Sequence, residues 1–205
     1  MSEQFVSLVI FAIAMTCSPG SNNVLMASSG VQVGMRRSIP LGLGVVTGIV
    51  LLLTVSAIGL ASIVHAEPSI RIVLKLVGSV YLIWLGWKIA HAGVPDFSIP
   101  DGGRGRGRGH RRGFMTGFIN SLLNLKGWTM ALSAAAGYTA LAPTALQLAV
   151  ILSLVFALIG VPNWALWCGG GQALARTLRT DRHWQLVNIA LGSLVVVSLV
   201  PMWLE

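Results

Sequence analysis

The sequence predicts an all-α membrane protein with six transmembrane helices, arranged as two inverted three-helix repeats whose first helices are interrupted. Three observations carry that prediction. Of 205 residues, 55% are hydrophobic and only 10% charged, whereas soluble domains carry about a quarter charged residues. Mean hydropathy is +0.79, and the apolar residues fall into six segments near the ~20 residues that a bilayer requires. One polar interval divides the chain almost equally. This gives residues 1–92 as a first repeat, 93–112 as a Gly/Arg-rich cytoplasmic loop, and 113–205 as a second repeat.

The first segment runs from Phe5 to Val33 and is broken at Ser18-Pro19-Gly20-Ser21-Asn22-Asn23. Proline removes a backbone donor and clashes with the preceding turn, and glycine beside it relaxes the chain further. In hydrocarbon a broken helix leaves backbone groups unpaired, at several kcal/mol each, unless protein or a wet cavity receives them. Pro19 and Gly20 therefore read as a helix break beside a polar cavity. The alternative is a kink repaired by Ser18 and Ser21.

The second segment spans Leu41 to Val64, with Ser38 and Pro40 as a helix start. Gly42, Gly44 and Gly48 let backbones approach closely. Packing within this chain is the default reading, with a homodimer interface as the alternative. The third spans Pro68 to Ala92. Arg71 and Lys75 can snorkel from its first turns, and Tyr81, Trp84 and Trp87 suit an aromatic belt.

The polar interval from Gly93 to Arg112 holds alternating glycine and arginine. Such sequence buries too little apolar surface to fold alone. A net charge of +8 raises nucleic acid as a partner, but the distribution of the charge argues against it. Arg36 and Arg37 lie in the first loop. Arg104, Arg106, Arg108, Arg111 and Arg112 lie in the third, and Arg176, Arg179 and Arg182 in the fifth. The second and fourth loops carry none. The positive-inside rule then puts the odd loops in the cytoplasm and both termini outside. Anionic membrane lipids are secondary partners of the basic loop.

The fourth segment, Gly113 to Tyr138, contains Asn120, Asn124 and Lys126. The fifth begins after Pro143 with Thr144 as cap and reaches about Ala173. It is read as interrupted at Gly160-Val161-Pro162-Asn163, with Pro162 as the break. The sixth runs from Trp184 to Leu204. Lys126 lies near the middle of its segment, where an ionisable residue is expensive and by default functional. No Asp or Glu occurs inside the six segments. Lys126 is thus a neutral amine, a cation resting on carbonyls at a broken helix, or a cation meeting an anionic substrate group. The bland alternative is a lysine that only bridges helices.

Taken singly, Asn22, Asn23 and Asn163 are interhelical hydrogen-bond formers. Together, at helix interruptions, they favour a central polar cavity. Helix N-terminal amides and Lys126 would face the carboxylate of a small zwitterion, with Asn oxygens facing its ammonium. The halves correspond weakly: Ser18-Pro19-Gly20 aligns with Asn124-Leu125-Lys126, and Gly78-Ser79 with Gly192-Ser193. Inverted repeats with interrupted helices and midplane sites are the pattern of secondary transporters. An enzyme is disfavoured. No nucleophile, base and acid share a leaflet, no intramembrane carboxylate exists, and Cys17, Cys168 and the four histidines form no metal or disulfide pattern. No cofactor is expected. A scaffold or regulator acting through the basic loop is the competing reading.

At these residues the sequence resembles the lysine exporter / RhtB (LysE) superfamily of amino-acid efflux proteins. Its Pro-Gly-Pro-Asn-Asn motif reads Pro19-Gly20-Ser21-Asn22-Asn23 here. Its basic turn and Gly-spaced second helix are matched by Gly34-Met35-Arg36-Arg37 and Gly42 to Gly48. Gly78, Tyr81, Leu82 and Gly86 match its third helix, and Asn124-Leu125-Lys126 its Asn-Pro-Lys. Leu125 replaces the proline, which leaves open whether helix four is broken there, and Ile49 stands where an acidic residue is common. Loss of that proline, and Tyr81 to Ala90, look like the cysteine/O-acetylserine exporter branch. The resemblance implies proton-coupled export of a small neutral amino acid. Asn22, Asn23, Asn124, Lys126 and Asn163 are the expected substrate-binding residues.

Overall fold

The computed structural model describes residues 2–18, 20–60, 68–91, 106–178, 180–197 and 199–200. Among them are seven α-helices and no strand. These are α1 Ser2–Cys17, α2 Ser21–Val55, α3 Pro68–Ala90, α4 Arg106–Leu123, α5 Leu125–Gly137, α6 Ala145–Thr177 and α7 Asp181–Val197. A π-helical turn, Ser56–Leu60, continues α2, and a 3-10 turn, Thr139–Leu141, follows α5. Two stretches among the described residues, Ser21–Gly59 and Ala145–Thr177, are long and apolar enough to cross a membrane.

Several boundaries differ from expectation. The basic turn at Gly34 does separate two helical arms within α2, because Gly34 leaves helical geometry at φ 76° and ψ 172° and Ser29 Oγ and Ser38 Oγ meet across it at 2.7 Å. Gly34 is needed there because this left-handed backbone penalises any side chain. The kink frees the N–H of Met35, which donates to Gln172 Oε1 on α6 at 3.0 Å. The second arm of α2 thus starts just after Gly34, a few residues ahead of the start expected at Ser38 and Pro40. Ser38 Oγ donates back to Gly34 O at 2.8 Å, and Pro40 lies inside α2.

The polar interval is also shorter than the 93–112 read as loop. α4 begins at Arg106, because a helix nucleated by its apolar part propagates cheaply into a polar flank. Elsewhere local chemistry sets the ends as the sequence suggests. Pro68 opens α3, where its missing N–H costs nothing. Thr144 Oγ1 accepts from Gln147 N and caps α6.

The correction at Pro162 is larger. α6 runs unbroken from Ala145 to Thr177 with Pro162 inside it. A proline removes only its own donor and crowds one carbonyl. Pro162 is exposed on the outer side of α6, where the helix absorbs that cost without separating.

Glycines fix how the helices meet. A Cβ on Gly30 would lie 2.0 Å from Cys168 O, and one on Gly171 would lie 2.1 Å from Ala27 O. These two contacts lock α2 to α6. Gly44 and Gly48 press on Phe114 and Ser121 of α4, and Gly86 meets Gly192 between α3 and α7. The Gly-spaced face of α2 is thus occupied within the chain. Replacing Gly44 with leucine is expected to lower the melting temperature sharply in detergent, because backbone lies 2.1 Å from the new Cβ; an unchanged melting curve would contradict this packing.

Buried apolar residues form two clusters. One holds Met26, Val45, Trp164 and Cys168, and the other holds Leu8, Leu52, Met130 and Phe156. Outward faces are apolar too. Leu146, Val150, Leu154 and Leu158 recur every fourth residue along α6 and are all at least half exposed. An apolar outer stripe of this kind suits a lipid solvent.

Candidate functional site

The chain leaves helical geometry twice in ways that meet in space. The first break lies between α1 and α2. Gly20 is extended, with φ −176° and ψ 172°; Pro19 lies outside the described residues. The second lies between α4 and α5 at Asn124, extended at φ −85° and ψ 105°. The question that Leu125 left open is therefore answered by a break one residue earlier.

Each break has its freed carbonyls received. Asn23 Nδ2 donates to Thr16 O at 2.8 Å and to Ser18 O at 3.0 Å. Lys126 Nζ donates to Ser18 O and to Ser18 Oγ, both at 2.8 Å. Lys126 thus places its amine at the C-terminal end of α1. At the second break the indole N–H of Trp128 donates to Leu122 O at 2.8 Å. Among the described residues the lysine rests on a carbonyl and a hydroxyl at the broken helix.

The asparagines divide by role. Asn23 is buried with both amide hydrogens used, and its Oδ1 accepts from Asn163 Nδ2 on α6 at 2.9 Å. It ties α1, α2 and α6 together. Asn23→Ala should lower stability by about 2–3 kcal/mol, because it strands partners on two helices. A melting temperature within a degree of wild type would show those bonds to be dispensable. Asn22 Oδ1 accepts from Asn120 Nδ2 and, at 3.4 Å, from Ser121 Oγ. Asn124 makes no side-chain hydrogen bond among the described residues.

These groups surround one cavity of about 60 Å³, several times the ~10–15 Å³ that a single water requires. Gly20, Asn22, Asn23, Asn124, Lys126 and Asn163 all line it. Apart from Thr16, its other walls are mainly apolar, supplied by both core clusters through Met26, Val45, Met130 and Phe156. Pro162 does not reach it. At Gly20 the constraint is space and not backbone angle, and a side chain there would push on Lys126. Its Cβ would lie 3.2 Å from Lys126 Cδ and 3.3 Å from Nζ.

Sequence reasoning missed Asn120, Trp128 and Trp164 as parts of this site. Asn120 was visible only as another polar residue in an apolar segment. The two tryptophans carried no signal separating them from belt or core residues. Among the described residues no group of His, Cys, Asp and Glu could hold a metal ion, and both cysteines are free.

A family model described as LysE type translocator matches residues 13–199. A cysteine/O-acetylserine efflux protein of Salmonella paratyphi A is 27% identical over 187 residues, covering 91% of this chain and 90% of the relative. A leucine efflux protein of Klebsiella pneumoniae is 25% identical over 88 residues, 43% of this chain and 42% of the relative. An uncharacterized membrane protein of Pseudomonas aeruginosa is 35% identical over 82 residues, 40% of this chain and 37% of the relative. No solved structure matches.

Proposed function

The chain belongs to the LysE type translocator family, and from that premise we propose that it is a secondary active exporter of small amino acids or their derivatives. The observation that carries this reading is the meeting of two helix breaks at one polar cavity with Lys126 between them. Neither break has a side-chain cap from its own cap residue, Gly20 or Asn124. In this reading the first amides of α2 meet the ligand, while in α5 Gly127 N already donates to Asn124 O. Helix N-termini favour an anion. A substrate carboxylate would sit between them and draw Lys126 from Ser18. The amide of Asn124 would take the ammonium.

The efflux proteins named above handle cysteine, O-acetylserine or leucine. A cavity with a polar rim and apolar walls suits such small uncharged side chains. In this reading six spans form two inverted repeats, with α1–α3 mirrored by α4–α7. The protein lies in a bacterial inner membrane with both termini outside, as a monomer or a homodimer. Outward transport is driven by protons, and Lys126 alternates between Ser18, substrate and proton during the cycle.

Counterflow into proteoliposomes, run across a panel of amino acids at two imposed pH gradients, tests the reading. Exchange of small neutral amino acids that accelerates with the gradient is expected. No exchange of any member would overturn it. The competing scaffold role separates in a second assay. Shortening the chain within residues 93–105 should leave most transport intact, whereas a scaffold acting through that basic segment would lose its function.

A further inference from the structure

Ser29 and Ser38 stand nine residues apart, which in one straight helix would separate them by about 13.5 Å along the axis. Their hydroxyls meet instead at 2.7 Å across Gly34. The two arms of α2 therefore fold back on each other as a hairpin with its apex at Gly34. Both arms return to the cavity, the first with Asn22, Asn23 and Met26, the second with Val45, Val46 and Ile49. Between apex and cavity the cleft of this hairpin is occupied by one row of α6. Trp164, Cys168 and Gln172 recur every fourth residue and so share a face of that helix. Trp164 covers Gly42 on the second arm, where a Cβ would lie 2.8–3.1 Å from ring atoms. The carbonyl of Cys168 presses on Gly30 of the first arm, and its thiol reaches Ser38 of the second. Gln172 ends the row at the apex, where its Oε1 accepts from Met35 N at 3.0 Å.

The row is held unevenly along its length. Trp164 and Cys168 are buried, whereas Gln172 is half-buried, and Arg36 and Arg37 beside the apex are exposed. Water at that end can take the place of the Gln172 amide on Met35 N, so the bond at the apex is exchanged at little net cost. The deeper contacts have no such substitute. Opening of the row therefore starts at Gln172 and proceeds toward Trp164. In the other direction along α6 the cavity is closed by the second core cluster, with Leu8, Ala134 and Leu152. We infer that the row Trp164, Cys168 and Gln172 is the gate between the cavity and the Gly34 end of the molecule, with Gln172 as its latch. Withdrawing the row from the hairpin joins the cavity to the aqueous side at Arg36 and Arg37. In the orientation proposed above that side is the cytoplasm, so this gate admits substrate for export. The inference rests on that reading for the role of the cavity and the direction of opening.

The test reads thiol accessibility to a polar maleimide in the full chain, held in lipid nanodiscs that expose both faces. The chain has two cysteines, so Cys17→Ser leaves Cys168 as the reporter inside the row. Two further reporters go into a background lacking both cysteines. They are Val45→Cys on the cavity wall and Ala134→Cys in the second core cluster. Gln172→Ala should speed labelling of Cys168 and of Val45→Cys about fivefold and leave Ala134→Cys unchanged. Gln172→Met, which keeps the length and loses the acceptor, should do the same and serves if the alanine variant does not fold. Gln172→Glu keeps an acceptor for Met35 N and should label at the wild-type rate; labelling as fast as Gln172→Ala would overturn the bond as the latch. Wild-type labelling of Cys168 in a folded Gln172→Ala or Gln172→Met overturns the inference. So does a rise at Cys168 without one at Val45→Cys, because the opening then stops short of the cavity. A rise at all three reporters also overturns it, reducing Gln172 to general stabilisation. Failure of the export reading looks different: no amino acid exchanges in the counterflow assay, whatever the labelling shows.

Discussion

Lys126→Met abolishes export from loaded proteoliposomes while leaving folded protein. The methionine keeps the unbranched stem and loses the group that bonds Ser18 O and Ser18 Oγ at 2.8 Å each. Hydrogen bonds to charged groups contribute about 1.5–3 kcal/mol each. If both are exchanged for substrate contacts during transport, their loss slows export by roughly 100-fold or more. Stability changes less, because Asn23 still serves Ser18 O. Lys126→Arg is expected to fall between the two. It keeps the charge, but its wider head must fit against Gly20, where only 3.2–3.3 Å separates an added Cβ from the lysine chain. Near-normal export by Lys126→Met would remove this residue from the mechanism.

The second large effect is on folding. Gly30→Ala and Gly171→Ala each drive a methyl group against a carbonyl of the facing helix, at 2.0 and 2.1 Å. Backbone cannot yield as a side chain does, so α2 and α6 must move apart along their contact. Overpacking typically costs about 1–3 kcal/mol, and these sites belong at the top of that range. The double variant should cost clearly less than the sum. Once one methyl has separated the helices, the second finds room. Melting curves of the four proteins in one detergent decide the matter. Strict additivity would mean that the two contacts do not share one interface.

The positions of the elements were largely legible, because apolar length and basic intervals are written along the chain. The breaks were legible only in part, and the reason is physical. Proline proved neither sufficient nor necessary. Pro162 stands in a continuous helix, while the chain breaks at Asn124 without one. What decides a break is whether the freed groups find partners. At Asn124 the partner is the indole of Trp128, six residues from the carbonyl it receives. At the first break the partners are Asn23 and Lys126, and Lys126 lies more than a hundred residues away in sequence. Spacing could nominate Asn22, Asn23, Asn124 and Lys126 because polar residues are scarce in apolar segments. It could not show that Asn23 is consumed by structure while Asn124 is left open. The turn at Gly34 was legible, but its support was not: Gln172, which holds the N–H of Met35, comes from the other half of the chain.

The closest helix contacts described above, α2 with α6, α2 with α4 and α3 with α7, all join one half of the chain to the other. This has a consequence for biogenesis. When the first half has been synthesised and inserted, the glycine faces of α2 are still waiting for α4 and α6, and Ser18 for Lys126 of α5. The early chain must therefore be sheltered until the second half follows it into the bilayer. Two separately expressed halves would gain most of their stability only on meeting, so each should be degraded when produced alone and rescued when the two are produced together.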